Sequence, residues 1–440
     1  MRLRARGPMY SVESMDATYF RRGFGRGKEV ELLVQAEYHS ALVERLQRHG
    51  FEETFGEGNQ RLTIRLAEAF GFCYGVDRAI DYAYQTRLQF PDRRIVLVGE
   101  IIHNPFVNDR LRAQGIEFLY PGPDGFDFSG LGPEDVVVLP AFGVTVQDFT
   151  RLQRRGCILV DTTCGSVLNV WKRVEQYARD GYTALIHGKY WHEETRATAS
   201  QVTKYPGGTY VVVRNMTEAR LLLDYIEQRP NAMTREALRE HFRLKASPHF
   251  DPDLHLERIG VANQTTMLAG ESLAIAEAVG RALQRRYGDR PDFDLAWHFR
   301  SFDTICSATQ ERQDAVAKLL AHPEGPPDVM VVIGGYNSSN TNHLAVLSAE
   351  RTITYHIADA DRIDPTRRTI RFKPAGTPAD APEVEAEDWL PPGPVVVGLT
   401  AGASTPNVKI GEAVVRILAT RGLAAPAAES GEPRVRPRSP

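Results

Sequence analysis

Short apolar runs alternate with polar clusters along most of this chain, and stretches of helical periodicity follow many of the clusters. "RRIVLVGE" leads into "IIHN", "EDVVVLP" into "AFGVT", "YTALI" into "HGKYWHEET", "RIGVA" into "NQTT", "DVMVVIGG" into "YNSSNTNH", and "PVVVGL" into "TAGAST". Runs this short, separated by helical patterns, predict α/β architecture with parallel sheets, in which ligands sit beyond the carboxyl ends of the strands. The clusters lie at that edge. They hold more Ser, Thr, Asn and His than simple turns require.

The same strand-then-helix pattern surrounds three cysteines. In "RLTIRLAEAFGFC" Leu62, Ile64 and Leu66 alternate as in a strand, and after Cys73 the residues Val76, Ile80 and Tyr84 recur at helical spacing. "CILVDTTC" followed by "GSVLNVWKRVEQYARDG" repeats the arrangement for Cys164, and "DLAWHFRSFDTIC" followed by "SATQERQDAVAKLL" repeats it for Cys306. The unpaired N–H groups at a helix start favour a thiolate, so these positions suit metal binding. Cys157 opens the apolar run "CILV" and is expected in a core.

These patterns divide the chain into an N-terminal extension (1–60), a first αβ unit with Cys73 (61–150) and a second with Cys164 (151–298), which carries an insertion near 225–257. A third unit with Cys306 and a closing segment follow (299–420), and then a Pro-, Ala- and Ser-rich tail expected to be disordered (421–440).

Composition narrows the partners. The chain has 440 residues, 42% of them hydrophobic and 25% charged, with a formal net charge of −3. A length and composition of this kind suit a soluble protein with a sizeable core, and the charge offers no reason to expect nucleic acid or a membrane surface as partner. A small molecule is the expected ligand. No apolar run is long enough to span a bilayer, and "MRLRARGPMYSVESM" lacks the apolar middle of a secretory signal, so the chain is expected in the cytoplasm. Four cysteines are too few for a disulfide scaffold, and no CxxC pair marks a zinc ribbon or ferredoxin-type run.

If three such units pack around an axis, their thiolates meet. Three cysteines on a [4Fe-4S] cluster leave one iron open to act as a Lewis acid on a substrate oxygen. Zinc held by three sulfurs and a water is the competing reading, although zinc cannot pass electrons.

The motifs "GFCYGVDRAI", "EIIHNPFVNDRL", "LPAFG", "DTTC", "IHGKYWHEET", "ANQTTML", "DTICSATQERQDA", "GGYNSSNTNHL" and "TAGASTP", in this order, resemble the 4-hydroxy-3-methylbut-2-enyl diphosphate reductase family. That family catalyses the last step of the methylerythritol phosphate route to isoprenoids. "FRRGFGRGKEVELL" and "GFEETFG" are similar to its plant and cyanobacterial branch, and the resemblance covers about residues 15–420.

The resemblance implies three αβ units around a pseudo-threefold axis and one central [4Fe-4S] cluster, held by Cys73, Cys164 and Cys306 with one open iron. The substrate hydroxyl would bind that iron and leave as water after two electrons and protons, giving isopentenyl and dimethylallyl diphosphate. Electrons would come from ferredoxin or flavodoxin, paired with an NADPH-dependent reductase. His103, His192, Ser338, Ser339, Asn340 and Ser404 would bind the diphosphate, which needs directed donors. The Ser and Asn residues also suit helix N-caps, a role compatible with phosphate binding at the same helix ends. Glu194 would protonate the leaving oxygen. Thr265, with Gln264 beside it, would relay that proton or hold the hydroxyl. Glu193 reads as a solvated turn residue.

Two departures stand out. Many bacterial members have "AHG" where this chain has Phe142 in "AFG", which removes one diphosphate donor; Thr145 or a water would take its place. Gly165 replaces a proline after Cys164, a change in turn stiffness. Two other functions share the three thiolates: a quinolinate-synthase-like lyase and a non-enzymatic iron–sulfur sensor. "HEET", "NQTT" and "NSSN" suit a diphosphate and an allylic alcohol better than a dicarboxylate, and a sensor needs none of them.

Overall fold

The computed structural model describes residues 18–302 and 304–426. The chain forms two compact units, one containing residues up to Glu31 and Tyr74–Ser307, the other Leu32–Cys73 and the chain from Ala308 onward.

The first unit carries two parallel sheets. One runs, in spatial order, Tyr19–Phe20, Ile158–Asp161, Val136–Leu139, Ile95–Val98 and Ile116–Leu119. The other runs Phe299–Ser301, Ile259–Asn263, Thr183–His187 and Tyr210–Val213. Ile95–Val98, Val136–Leu139 and Ile259–Asn263 are buried along their whole length, which is why they read as unbroken apolar runs.

The predicted insertion is packed rather than loose. Leu238, Phe242, Phe250 and Leu256 are buried in the core of the second sheet, and Val212 N–H donates to Lys245 O at 2.7 Å, which covers the edge strand. The N-terminal extension contributes Tyr19–Phe20, which pairs with Leu159 and Val160. Residues 1–17 of it lie outside the described residues.

The second unit is built on a sheet ordered Ile353–Ile357, Val329–Ile333, Val395–Ala401, Leu62–Leu66 and Glu52–Phe55, parallel except at the last strand. The strand before Cys73 thus pairs with Val395–Ala401 and sits in a different unit from the helix Tyr74–Gln89 that follows it. A small antiparallel ribbon, Ile363–Asp364, Thr369–Phe372 and Val384–Glu387, completes this unit. Packing continues into the start of the predicted tail, where Leu423 lies against the core, while residues 427–440 of that tail lie outside the described residues. Among the described residues no helix is long and apolar enough to cross a membrane.

Candidate active site

Each of the three singled-out cysteines sits directly before a helix: Cys73 before Tyr74–Gln89, Cys164 before Gly165–Arg179 and Cys306 before Ser307–Leu320. Each is partly exposed, and its backbone N–H is tied to a neighbouring loop. Cys73 donates to Ala403 O at 3.3 Å, Cys164 to Ala141 O at 3.0 Å and Cys306 to Thr265 O at 3.3 Å. No disulfide joins any of the cysteines. Partly exposed cysteines at anchored helix starts fit ligation of an iron–sulfur cluster. Cys157, 2% exposed among Val137, Leu152 and Leu159, does not, and burial pushes its thiol pKa up.

Buried Arg312 secures the approach to Cys73 by donating to Gly71 O at 2.6 Å and Phe70 O at 3.4 Å. Gly71 adopts φ 68°, and a Cβ there would meet Asn407 Oδ1 at 2.7 Å, so this bend requires glycine.

In the first unit the polar clusters carry titratable groups. His192 caps the helix Glu193–Ser200, its Nδ1 accepting from Glu194 N–H at 3.1 Å. With that lone pair engaged, the neutral ring carries its proton on Nε2 and is a donor. Burial, with His103 nearby, holds its pKa down. His103 lies between two carboxylates, with Nδ1 at 3.0 Å from Glu100 and Nε2 at 3.6 Å from Glu193. Burial works against its charge, but the two carboxylates prevail and raise its pKa to about 9, making it an imidazolium at neutral pH. Glu193 is half exposed, yet it is His103's ion-pair partner as well as a turn residue; burial opposes its ionisation, and the attraction of His103 at 3.6 Å outweighs that and keeps it ionised. One ligand atom from each of His103, His192 and Glu193 lies within 4.8 Å of the others, a spacing that could also hold a cation. His103 and His192 thus offer N–H groups beside the Glu193 carboxylate.

Glu194 is 1% exposed and accepts the Thr265 N–H at 2.6 Å. Burial raises its pKa to about 7, against the pull of Thr265, so it retains a proton near neutrality. Gln264 accepts from Lys189 N–H and the Thr195 hydroxyl, both at 3.1 Å, and donates to Thr266 at 2.8 Å. Its amide therefore binds together the loops that carry His192, Glu194 and Thr265. Glu100, the partner of His103 Nδ1, is a site residue that the sequence analysis misses, and its spacing to His103 in "EIIH" is the signal that could have found it.

The second unit offers neutral groups. Ser338 caps the helix Ser339–Ala349, accepting from Thr341 N–H at 3.3 Å and the Thr341 hydroxyl at 2.9 Å. Asn340 Oδ1 accepts from Ala403 N–H at 2.9 Å, while its buried Nδ2 has no hydrogen-bond partner among the described residues. A buried donor left open in this way suits an anion's oxygens. Ser339 and Ser404 are buried on the same two loops. Ala403 links these loops, its carbonyl accepting from the Cys73 N–H and its N–H donating to Asn340 Oδ1.

Phe142 stacks on His103 with centroids 4.4 Å apart and meets His192 edge-on at 5.6 Å. It adds no donor, but it packs both rings. Thr145 does not replace the missing one: its hydroxyl caps the helix Val146–Arg155 and donates to Asp148 at 2.7 Å.

The LytB protein family model matches residues 64–418. The 4-hydroxy-3-methylbut-2-enyl diphosphate reductase of Thermosynechococcus vestitus is 49% identical over 408 residues, covering 92% of this chain and 96% of that protein. The protein of the same name from Acaryochloris marina is 46% identical over 414 residues, covering 92% and 95%. The solved E-1-hydroxy-2-methyl-but-2-enyl-4-diphosphate reductase of Plasmodium falciparum, 20% identical, covers 81% of this chain and 87% of its own, with a TM-score of 0.56, and so shares the fold. The chain belongs to the LytB family, in the company of cyanobacterial 4-hydroxy-3-methylbut-2-enyl diphosphate reductases.

Proposed function

We propose that this protein reductively removes the hydroxyl of 4-hydroxy-3-methylbut-2-enyl diphosphate to give isopentenyl and dimethylallyl diphosphate, the terminal step of the non-mevalonate route. Family membership over nearly the whole chain supports the reaction. The observation that carries the chemistry is Glu194, a buried carboxyl whose pKa is raised to about 7. Departure of an allylic hydroxyl as water needs a proton, and a carboxyl that stays protonated in a closed site supplies it.

Thr265 holds Glu194 through its N–H and places its own hydroxyl beside the acid. Gln264 keeps the loops in register. Cationic His103 and the Nε2–H of His192 take diphosphate oxygens, and Ser338, Ser339, Asn340 and Ser404 add neutral, directed donors. Cys73, Cys164 and Cys306, each at a helix start, would together hold one [4Fe-4S] cluster with an open iron. When bound, the cluster would supply one-electron transfer and Lewis acidity. Ferredoxin or flavodoxin delivers the electrons, and the enzyme works in the cytoplasm.

Anaerobic turnover by iron–sulfur-reconstituted protein with a chemical reductant, read by mass spectrometry, tests the assignment. Both five-carbon diphosphates are expected. No product from protein with a spectroscopically intact cluster would reject it in favour of the lyase or sensor readings.

A further inference from the structure

The N-terminal segment ends on a buried carboxylate. Tyr19 donates its hydroxyl to Asp161 Oδ2 at 2.6 Å, and Arg21 Nε reaches the same oxygen at 3.4 Å. The other oxygen, Oδ1, accepts from the Thr163 N–H at 3.0 Å and from the Thr163 hydroxyl at 2.5 Å. Asp161 is 5% exposed, so its charge requires these partners. Arg78 completes the arrangement by donating to Thr163 O at 3.0 Å and Arg21 O at 2.7 Å. Every hydrogen-bonding group of Thr163 is thereby fixed, and the next residue is Cys164.

The segment is fastened upstream and downstream of these contacts. Leu159 N–H donates to Thr18 O at 2.7 Å, continuing the parallel pairing of Tyr19 and Phe20 with that strand. Beyond Arg21, buried Gln85 accepts from Phe24 N–H at 3.0 Å and Arg26 N–H at 3.1 Å. The tyrosine ring also packs edge-on against Phe149 at 5.4 Å, a contact that does not involve Asp161.

We infer that Tyr19 and Arg21 are positioning residues for Cys164, acting through Asp161 and Thr163, so that the N-terminal segment braces one ligand loop of the metal centre. This inference rests on the proposed ligation by Cys164. Outer partners of this kind fix a ligand's geometry and tune its affinity for metal, an effect of about 10- to 100-fold when they are removed. Arg21 also offsets the Asp161 charge beside an anionic centre, so its loss makes the centre harder to reduce.

The test compares reconstituted wild type with Tyr19→Phe, Arg21→Gln, their double variant, Arg21→Lys and Phe149→Leu. Three quantities are read: the rate of iron loss to a chelator, the electron paramagnetic resonance spectrum of the reduced protein, and its reduction potential. The double variant is expected to lose iron about tenfold faster, with an altered spectrum and a lower potential. Arg21→Lys should restore most of the potential. Phe149→Leu should lower thermal stability while leaving all three readings at wild-type values. Wild-type readings in the double variant, or equal changes in Phe149→Leu, would overturn the brace. Failure of the ligation reading shows differently: Cys164→Ser would then retain the wild-type spectrum and iron content.

Discussion

The polar loops of the two units carry different chemistry. In the first unit three of the singled-out groups titrate: His103 is pushed up, His192 down, and Glu194 up to about 7. In the second unit Ser338, Ser339, Asn340 and Ser404 do not titrate in the working range of an enzyme. On the proposed function, charge and proton handling fall to the singled-out residues of one unit, and neutral, orientation-setting hydrogen bonds to those of the other. pH and charge substitutions should discriminate between them.

Glu194→Gln should have the largest effect. It keeps the shape and the Thr265 contact but cannot give up a proton, so kcat should fall by about 100- to 10,000-fold with substrate affinity and iron content retained. Unchanged turnover in anaerobic kinetics would remove the acid from the first unit. Asn340→Asp probes the other side. Oδ1 still accepts the Ala403 N–H, but an open donor becomes an acceptor facing a polyanion. KM should rise by about 10- to 100-fold, the equivalent of losing a hydrogen bond to a charged group, with kcat nearly unchanged.

A smaller effect concerns His103, whose folded pKa of about 9 exceeds the ordinary 6.5. Its positive charge is present below about 9 and lost above, so substrate affinity should weaken as pH rises through that value; His103→Gln should bind more weakly and lack the step. Smallest is Phe142→His, which adds a donor between two existing rings and should lower KM by about threefold, the scale of one neutral hydrogen bond. Higher KM would mean that Phe142's stacking on His103 matters more than the donor.

Much of this was legible in sequence because local patterns carry it. Buried parallel strands leave unbroken apolar runs, and the change of period after Cys73, Cys164 and Cys306 marks the helix starts that the structure shows. Contacts between distant segments leave no such trace. The pairing of Leu62–Leu66 with Val395–Ala401 joins opposite ends of the chain, and Arg312 meets the Gly71 loop 241 residues away. Tyr19 and Asp161 are separated by 142 residues, so neither looks unusual alone. Glu193 reads as a solvated turn residue in sequence because nothing nearby reveals His103 as its partner. Thr145 was a reasonable donor by proximity to Phe142, but its helix-capping role became visible only with the helix in place.

The measurement that bears most directly on the division between the units is infrared titration of the Glu194 carboxyl, as the difference between wild type and Glu194→Gln. The account predicts a protonated-carboxyl band that persists to near neutral pH and disappears with a midpoint of about 7. A carboxyl that ionises at the ordinary value of 4.5 would contradict it and leave the first unit without its proton donor.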